Sequence, residues 1–131
     1  MVRVGVLTGG GDCPGLNAVI RAVTKHALQA GLDVHGIEDG FLGLIEDRVR
    51  ELRYDDVSGI LKLGGTILGT SNKANPAKFA TGFDGNGDVV WEDVTDRCFR
   101  TIERHGLDAL VVIGGDGTMA CAQPFAAAGI P

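Results

Sequence analysis

The chain is poor in cysteine, in net positive charge and in long apolar runs, and each shortage excludes a class of protein. Cys13, Cys98 and Cys121 are an odd number with no CxxC pair. They do not make a disulfide framework and suit free thiols in a reducing cytoplasm. Lys and Arg number 12 against 17 Asp and Glu, a formal net charge of −5. A broad electrostatic grip on nucleic acid is excluded, although loops and local cations can still hold phosphates. No apolar run approaches the roughly 20 residues that span a bilayer. Met1-Val2-Arg3-Val4 enters a strand pattern at once, so no signal peptide and no membrane partner are expected. Repeats and low-complexity tracts are also missing.

What is abundant is glycine. The 131 residues include 21 glycines, about twice the usual share, clustered at turns without a triplet period. At 44% hydrophobic residues the composition is globular, and the length suits one domain over residues 1–131. An α-β unit is beginning at Ala128–Pro131, so the chain is expected to be part of a longer protein.

Along the chain, Val2–Leu7 reads as a buried parallel strand. Leu16–Ala30 carries Leu16, Val19, Ile20, Val23, Ala27 and Leu28 at helical spacing, with Gly31 as its stop. Leu32–Ile37 is the second strand and completes a β-α-β unit. Asp39–Leu44 reads as a loop with a short helical turn, Arg48–Leu52 as a strand or extended edge, and Asp55–Leu63 as a weak helix. Asn72–Asp88, with Pro76 and the turn signals Asp84-Gly85 and Asn86-Gly87, reads as a loop with at most one helical turn. Val94–Arg104 is a helix and Leu107–Ile113 a central strand. Met119–Ala128 is a small-residue helix interrupted or shifted by Pro124. The alternation predicts an α/β fold, doubly wound, with a mainly parallel sheet and Rossmann-like β-α-β units.

Two loops carry the chemistry. Thr8-Gly9-Gly10-Gly11-Asp12-Cys13-Pro14-Gly15-Leu16-Asn17 follows the first strand, and Gly114-Gly115-Asp116-Gly117-Thr118 follows the last. A strand that ends in glycines and opens a helix offers backbone N–H groups and a partial positive charge to an anion. The first loop lacks the G-x-G-x-x-G spacing of dinucleotide sites and the Gly-Lys-Ser/Thr of P-loops. In the second, Gly-Gly admits a polyphosphate, Asp116 suits Mg²⁺, Gly117 leaves space, and Thr118 offers a hydroxyl. Asp12 can cap the following helix or hold a cation, and Asn17 also fits a plain first-turn position.

Taken together, Gly5–Arg21, Asp39–Leu44, Gly64–Ser71 and Ile113–Thr118 resemble the phosphofructokinases, in that family's order and over nearly the whole chain. The resemblance implies phosphoryl transfer from ATP, or in some members pyrophosphate, to the 1-hydroxyl of fructose 6-phosphate. It implies a cytoplasmic glycolytic transferase that uses Mg²⁺, assembled as a dimer or tetramer and in many bacterial members allosteric. It places Gly11 against the donor phosphates, Asp116 on the metal, and Gly115, Gly117 and Thr118 along the nucleotide. A second Asp at the position of Gly117 marks the pyrophosphate users, so glycine there favours ATP; the other half of that switch falls beyond Pro131. Asn72 stands where bacterial ATP enzymes carry an Arg, with Lys73 beside it and Lys78 further on as substitute cations. The loop over residues 74–88 is longer than in compact members. Arg21 and Lys25, four apart, match two effector-site bases, whereas Tyr54 stands where a third is expected and Arg53 is adjacent. The family's catalytic base falls after Pro131, so residues 1–131 alone are expected to be inactive. The alternatives are a pyrophosphate-dependent phosphofructokinase and a non-catalytic nucleotide-sensing subunit of the same fold. Lipid and NAD kinases share Gly-Gly-Asp-Gly-Thr but have no need of the first loop.

Overall fold

The computed structural model describes residues 2–9, 16–59, 66–70, 75–114 and 116–130, with the side chains of 116 and 117 outside the description. Four strands form one sheet: β1 (Arg3–Thr8), β2 (Asp33–Ile37), β3 (Val49–Leu52) and β6 (Ala109–Ile113), in the order β3-β2-β1-β6. A separate hairpin holds β4 (Phe79–Phe83) and β5 (Val89–Glu92). The helices are α1 (Leu16–Gln29), α2 (Phe41–Glu46), α3 (Tyr54–Val57), α4 (Thr95–His105) and α5 (Asp116–Ala127).

The period-two alternation of strand side chains creates the two layers. Val4 and Val6 of β1, with Val34 of β2, pack against Ile20 and Ala27 of α1 and Val57 of α3. Leu7 and Ile37 point the other way, into Phe41 and Leu44 of α2, Cys98 and Ile102 of α4 and Phe125 of α5. Val6, Leu7, Ile20, Val34 and Ile37 are fully buried. Helices on both faces make the sheet doubly wound, as the alternation of elements predicts.

Three sequence readings need correction, whereas the mainly parallel sheet is as expected: β2 and β6 run parallel to β1, and among the described strands of this sheet β3 alone pairs antiparallel, with Ile37 opposite Val49. Residues 38–48 turn back at once, the Glu38 N–H donating to the Arg48 carbonyl at 3.0 Å. Such a connection closes on the strand it left, whereas a parallel return must cross the whole sheet. First, residues 79–92 form a hairpin instead of a loop. Its turn closes where Asp84 N–H donates to the Asp88 carbonyl at 2.8 Å, and Asp84 Oδ1 accepts from Asn86 and Asp88 N–H. The glycines mask the apolar alternation of Phe79, Phe83, Val89 and Trp91. The strand β6 is not central among the described strands, since it pairs with β1 alone and all five of its residues are half-buried. Finally, α5 runs unbroken through Pro124. Proline removes one helical hydrogen bond, but Phe125 anchors that turn against Phe41 and Phe99, with ring centroids 5.7 and 5.2 Å away.

The docking of α2 on α4 combines the packing of Phe41 and Leu44 near Cys98 and Ile102 with one buried hydroxyl. Thr101 Oγ1 donates to the Leu44 carbonyl at 2.6 Å, and that carbonyl belongs to the last turn of α2, where no helical donor remains. Thr101→Val keeps the shape and strands the carbonyl. Urea unfolding of the full-length protein should show a loss of about 1–3 kcal/mol; an unchanged midpoint would remove this account of the α2–α4 joint.

Candidate functional site

Three glycine-rich segments converge at the carboxyl ends of the parallel strands, where open α/β sheets bind ligands. The strands β1 and β6 are neighbours with Thr8 opposite Ile113, so Gly9 and Gly114 leave the sheet side by side. Gly9 N–H extends the ladder by donating to the Ile113 carbonyl at 2.9 Å. Residues 66–70 supply the third segment. Thr8 Oγ1 donates to the Gly69 carbonyl at 2.8 Å and lies 2.9 Å from Thr66 Oγ1. Ile67 N–H donates to Asn17 Oδ1 at 2.7 Å, and Asp39 N–H to the Leu68 carbonyl at 2.8 Å. Gly69, at φ 74°, leaves room for the Asp39 carboxylate, which pairs with Arg48 at 2.9 Å.

The glycines beside Thr118 have a packing duty. A Cβ built on Gly9 would lie 2.7 Å from Thr118 Cγ2, and one on Gly114 would lie 2.5 Å from Thr118 Oγ1. Thr118 is 7% exposed and fills the space between the two strand ends. It therefore locks the start of α5 against both loops. Thr8 and Asn17, both buried, do the same for residues 66–70. Sequence reasoning did not identify Thr8 or Thr66 as positioning residues; their only signal is a threonine set directly beside a glycine run.

Other sequence candidates fall unevenly. Gly11, Asn72, Lys73 and Gly115 lie outside the described residues, as do Asp12 and Cys13. Asp116 is the first residue of α5 and Gly117 the second; of these two, only the backbone is described. Thr118 is placed as above. Lys78 sits over the Trp91 ring, its Nζ 5.3 Å from the centroid. Arg21 and Lys25 lie half-buried on α1, and among the described residues neither forms an ion pair. Tyr54 opens α3 and is 43% exposed, while Arg53 pairs with Glu51.

Beside α5 lies a cavity of about 310 Å³ bordered by Asn75, Pro76, Ala120, Cys121 and Pro124. It begins one turn beyond the first residue of the helix. Burial pushes the Cys121 thiol up, and pushes Cys98 to about 12, so neither is a thiolate at neutral pH. Among the described residues, no three His, Cys, Asp or Glu side chains gather to hold a metal.

The model of the family described as phosphofructokinase matches residues 3–131. The chain belongs to the phosphofructokinase family. Among curated relatives, the ATP-dependent 6-phosphofructokinase 2 of Clostridium perfringens (strain 13 / Type A) is 50% identical over 129 residues, 98% of this chain and 35% of the relative. The ATP-dependent 6-phosphofructokinase of Vibrio vulnificus (strain YJ016) is 42% identical over 98% of this chain and 36% of its own length. The chain thus spans about a third of these relatives. Among solved structures, phosphofructokinase of Pichia pastoris in the T-state superposes with a TM-score of 0.78 at 34% identity, covering 95% of this chain and 12% of that one. The pyrophosphate-dependent phosphofructokinase of Marinobacter aquaeolei reaches a TM-score of 0.67 at 16% identity, covering 100% of this chain and 31% of that one, and shares the fold alone. Solved phosphofructokinases, one of them named as pyrophosphate-dependent, therefore share this fold. No helix among the described residues is long and apolar enough to cross a membrane.

Proposed function

We propose that the full-length protein is an ATP-dependent 6-phosphofructokinase, and that this chain carries the donor half of its site. The observation that carries the reading is the joint at the ends of β1 and β6. Thr118 locks both glycine ends together and thereby sets Asp116 as the first residue of a helix at the carboxyl edge of the sheet.

In this reading the backbone of Gly11 and Gly115 cradles the donor phosphates, aided by the N-terminus of α5. Asp116 holds Mg²⁺, which when bound neutralises charge on the transferring phosphoryl group. Gly117 leaves the slot beside the metal uncharged. Asn72 and Lys73 flank the path between donor and sugar phosphates. The γ-phosphoryl passes to the 1-hydroxyl of fructose 6-phosphate, ADP leaves, and the hydroxyl proton goes to a base supplied after Pro131. The cavity beside Ala120 and Cys121 favours ATP over pyrophosphate, because only ATP has a nucleoside to place there. The protein acts as a cytoplasmic homo-oligomer, and Arg21 and Lys25 contribute to an effector site.

The deciding assay measures fructose 1,6-bisphosphate formation by the full-length protein with Mg-ATP and Mg-pyrophosphate in parallel. Turnover with ATP is expected, and residues 1–131 alone should give none. Turnover with pyrophosphate only would overturn the donor assignment, and none with either donor would favour a nucleotide-sensing role.

A further inference from the structure

The helix α4 carries a row of arginines that neither the core nor the donor site explains. Arg97, Arg100 and Arg104 follow one another at helical spacings of three and four, on one face beside Thr101. They line a groove of about 290 Å³ whose other wall is the end of α2, with Ile45, Glu46 and Asp47. Like charges at these spacings repel. Arg97 also sits in the first turn, where the helix dipole disfavours a cation. Asp93, Asp96 and Glu103 stand three or four residues from Arg97 or Arg100 and offset part of that repulsion, but none of them forms an ion pair with either arginine.

The acids at the groove are already engaged. Glu46 pairs with Arg48 at 3.2 Å. Asp47 is bonded to Arg104 and, at 2.5 Å, to His105 Nε2. Among the described residues, Arg97 and Arg100 have no ion-pair partner. Two guanidinium groups one turn apart and outside any ion pair, on a groove large enough for a small anion, match the forked geometry that recognises phosphate oxygens.

We propose that the groove between α2 and α4 binds a phosphate dianion, gripped by Arg97 and Arg100, with Asp47 as an internal competitor that occupies Arg104. The bound oxygens accept N–H bonds from the two free arginines. Loss of the Asp47 charge releases Arg104 to add a third. Asp47 is the residue after α2, in the left-handed region at φ 60°, a conformation that asparagine also adopts readily.

The test is equilibrium dialysis of radiolabelled inorganic phosphate against the full-length protein, comparing wild type with R97Q/R100Q. Phosphate held at the donor, sugar and effector sites is common to both and cancels. Wild type should bind one more phosphate per chain than R97Q/R100Q. D47N should keep that extra site and tighten it about tenfold. Turnover is followed on the same samples, so the phosphate count stands whether or not the proposed transferase activity does. If the double variant does not fold, the exposed single change R100Q should weaken the extra site by about tenfold. Equal phosphate counts in wild type and folded R97Q/R100Q, or unchanged affinity in D47N or R100Q, would overturn the proposal.

Discussion

Replacing Asp116 with asparagine in the full-length protein is expected to lower turnover of fructose 6-phosphate with Mg-ATP by at least about 10²–10³-fold. Asp116 is the first residue of α5, two residues past Gly114, where the described stretch after β6 ends. In the proposed reading a carboxylate there is the protein's oxygen ligand for a hard divalent cation, and the amide that replaces it carries no charge. Asparagine matches the shape of aspartate and is tolerated at helix starts. The melting temperature should therefore move little while kcat collapses, a combination that damage to the fold would not produce. Turnover within tenfold of wild type would remove Asp116 from the metal site.

The second large effect concerns the joint at Thr118. Gly9→Ala and Gly114→Ala each force a methyl into Thr118, which is buried and cannot swing aside. Overpacking of this kind costs about 1–3 kcal/mol, and here it also displaces the start of α5. The two variants should respond differently to a second change. Thr118→Ala removes the Cγ2 and Oγ1 that crowd Gly9, leaving the threonine Cβ at 3.3 Å, a contact that can relax. At Gly114 the Thr118 Cβ itself stands 2.7 Å from the new methyl, so alanine cannot relieve it. Thermal unfolding should show Thr118→Ala rescuing Gly9→Ala but not Gly114→Ala. Equal rescue of both would mean that the loops part from α5 more freely than this packing allows.

Much of the site was readable before any coordinates. The glycine runs, their places after apolar strands, and Asp116 at a strand end are local features, and local chemistry demands them; that α5 already begins at Asp116 came from the structure. The family followed from the order of four motifs. The purpose of Gly9 and Gly114 was harder to see. From sequence they read as openings for phosphate, whereas the space beside each is taken by Thr118. Thr118 lies only four residues from Gly114, but nothing in the neighbourhood of Gly9 points to a threonine more than a hundred residues away. Asn17 likewise reads as an ordinary first-turn residue, yet its carboxamide oxygen holds Ile67 N–H at 2.7 Å.

The errors about elements have a similar origin. The hairpin at Phe79–Glu92 was hidden because Gly82, Gly85 and Gly87 interrupt its alternation and because its strands pair only with each other. Apolar content marks β6 as a strand but not as an end of the described sheet, since that depends on which strand comes beside it.

The sequence by itself determined the α/β class, the positions of α1 and α4, most of the α1 core face (Val19 excepted, which is exposed), the glycine-ended strands and the family, because these rest on periodicity and on residue types within a few positions of one another. Only the tertiary structure decided the antiparallel β3, the Thr118 joint, the Asn17 and Thr8 ties to residues 66–70, and the unpaired arginines facing α2. Each is a contact between segments distant in the chain. Its energy depends on the distance and burial of both partners, which no local pattern encodes.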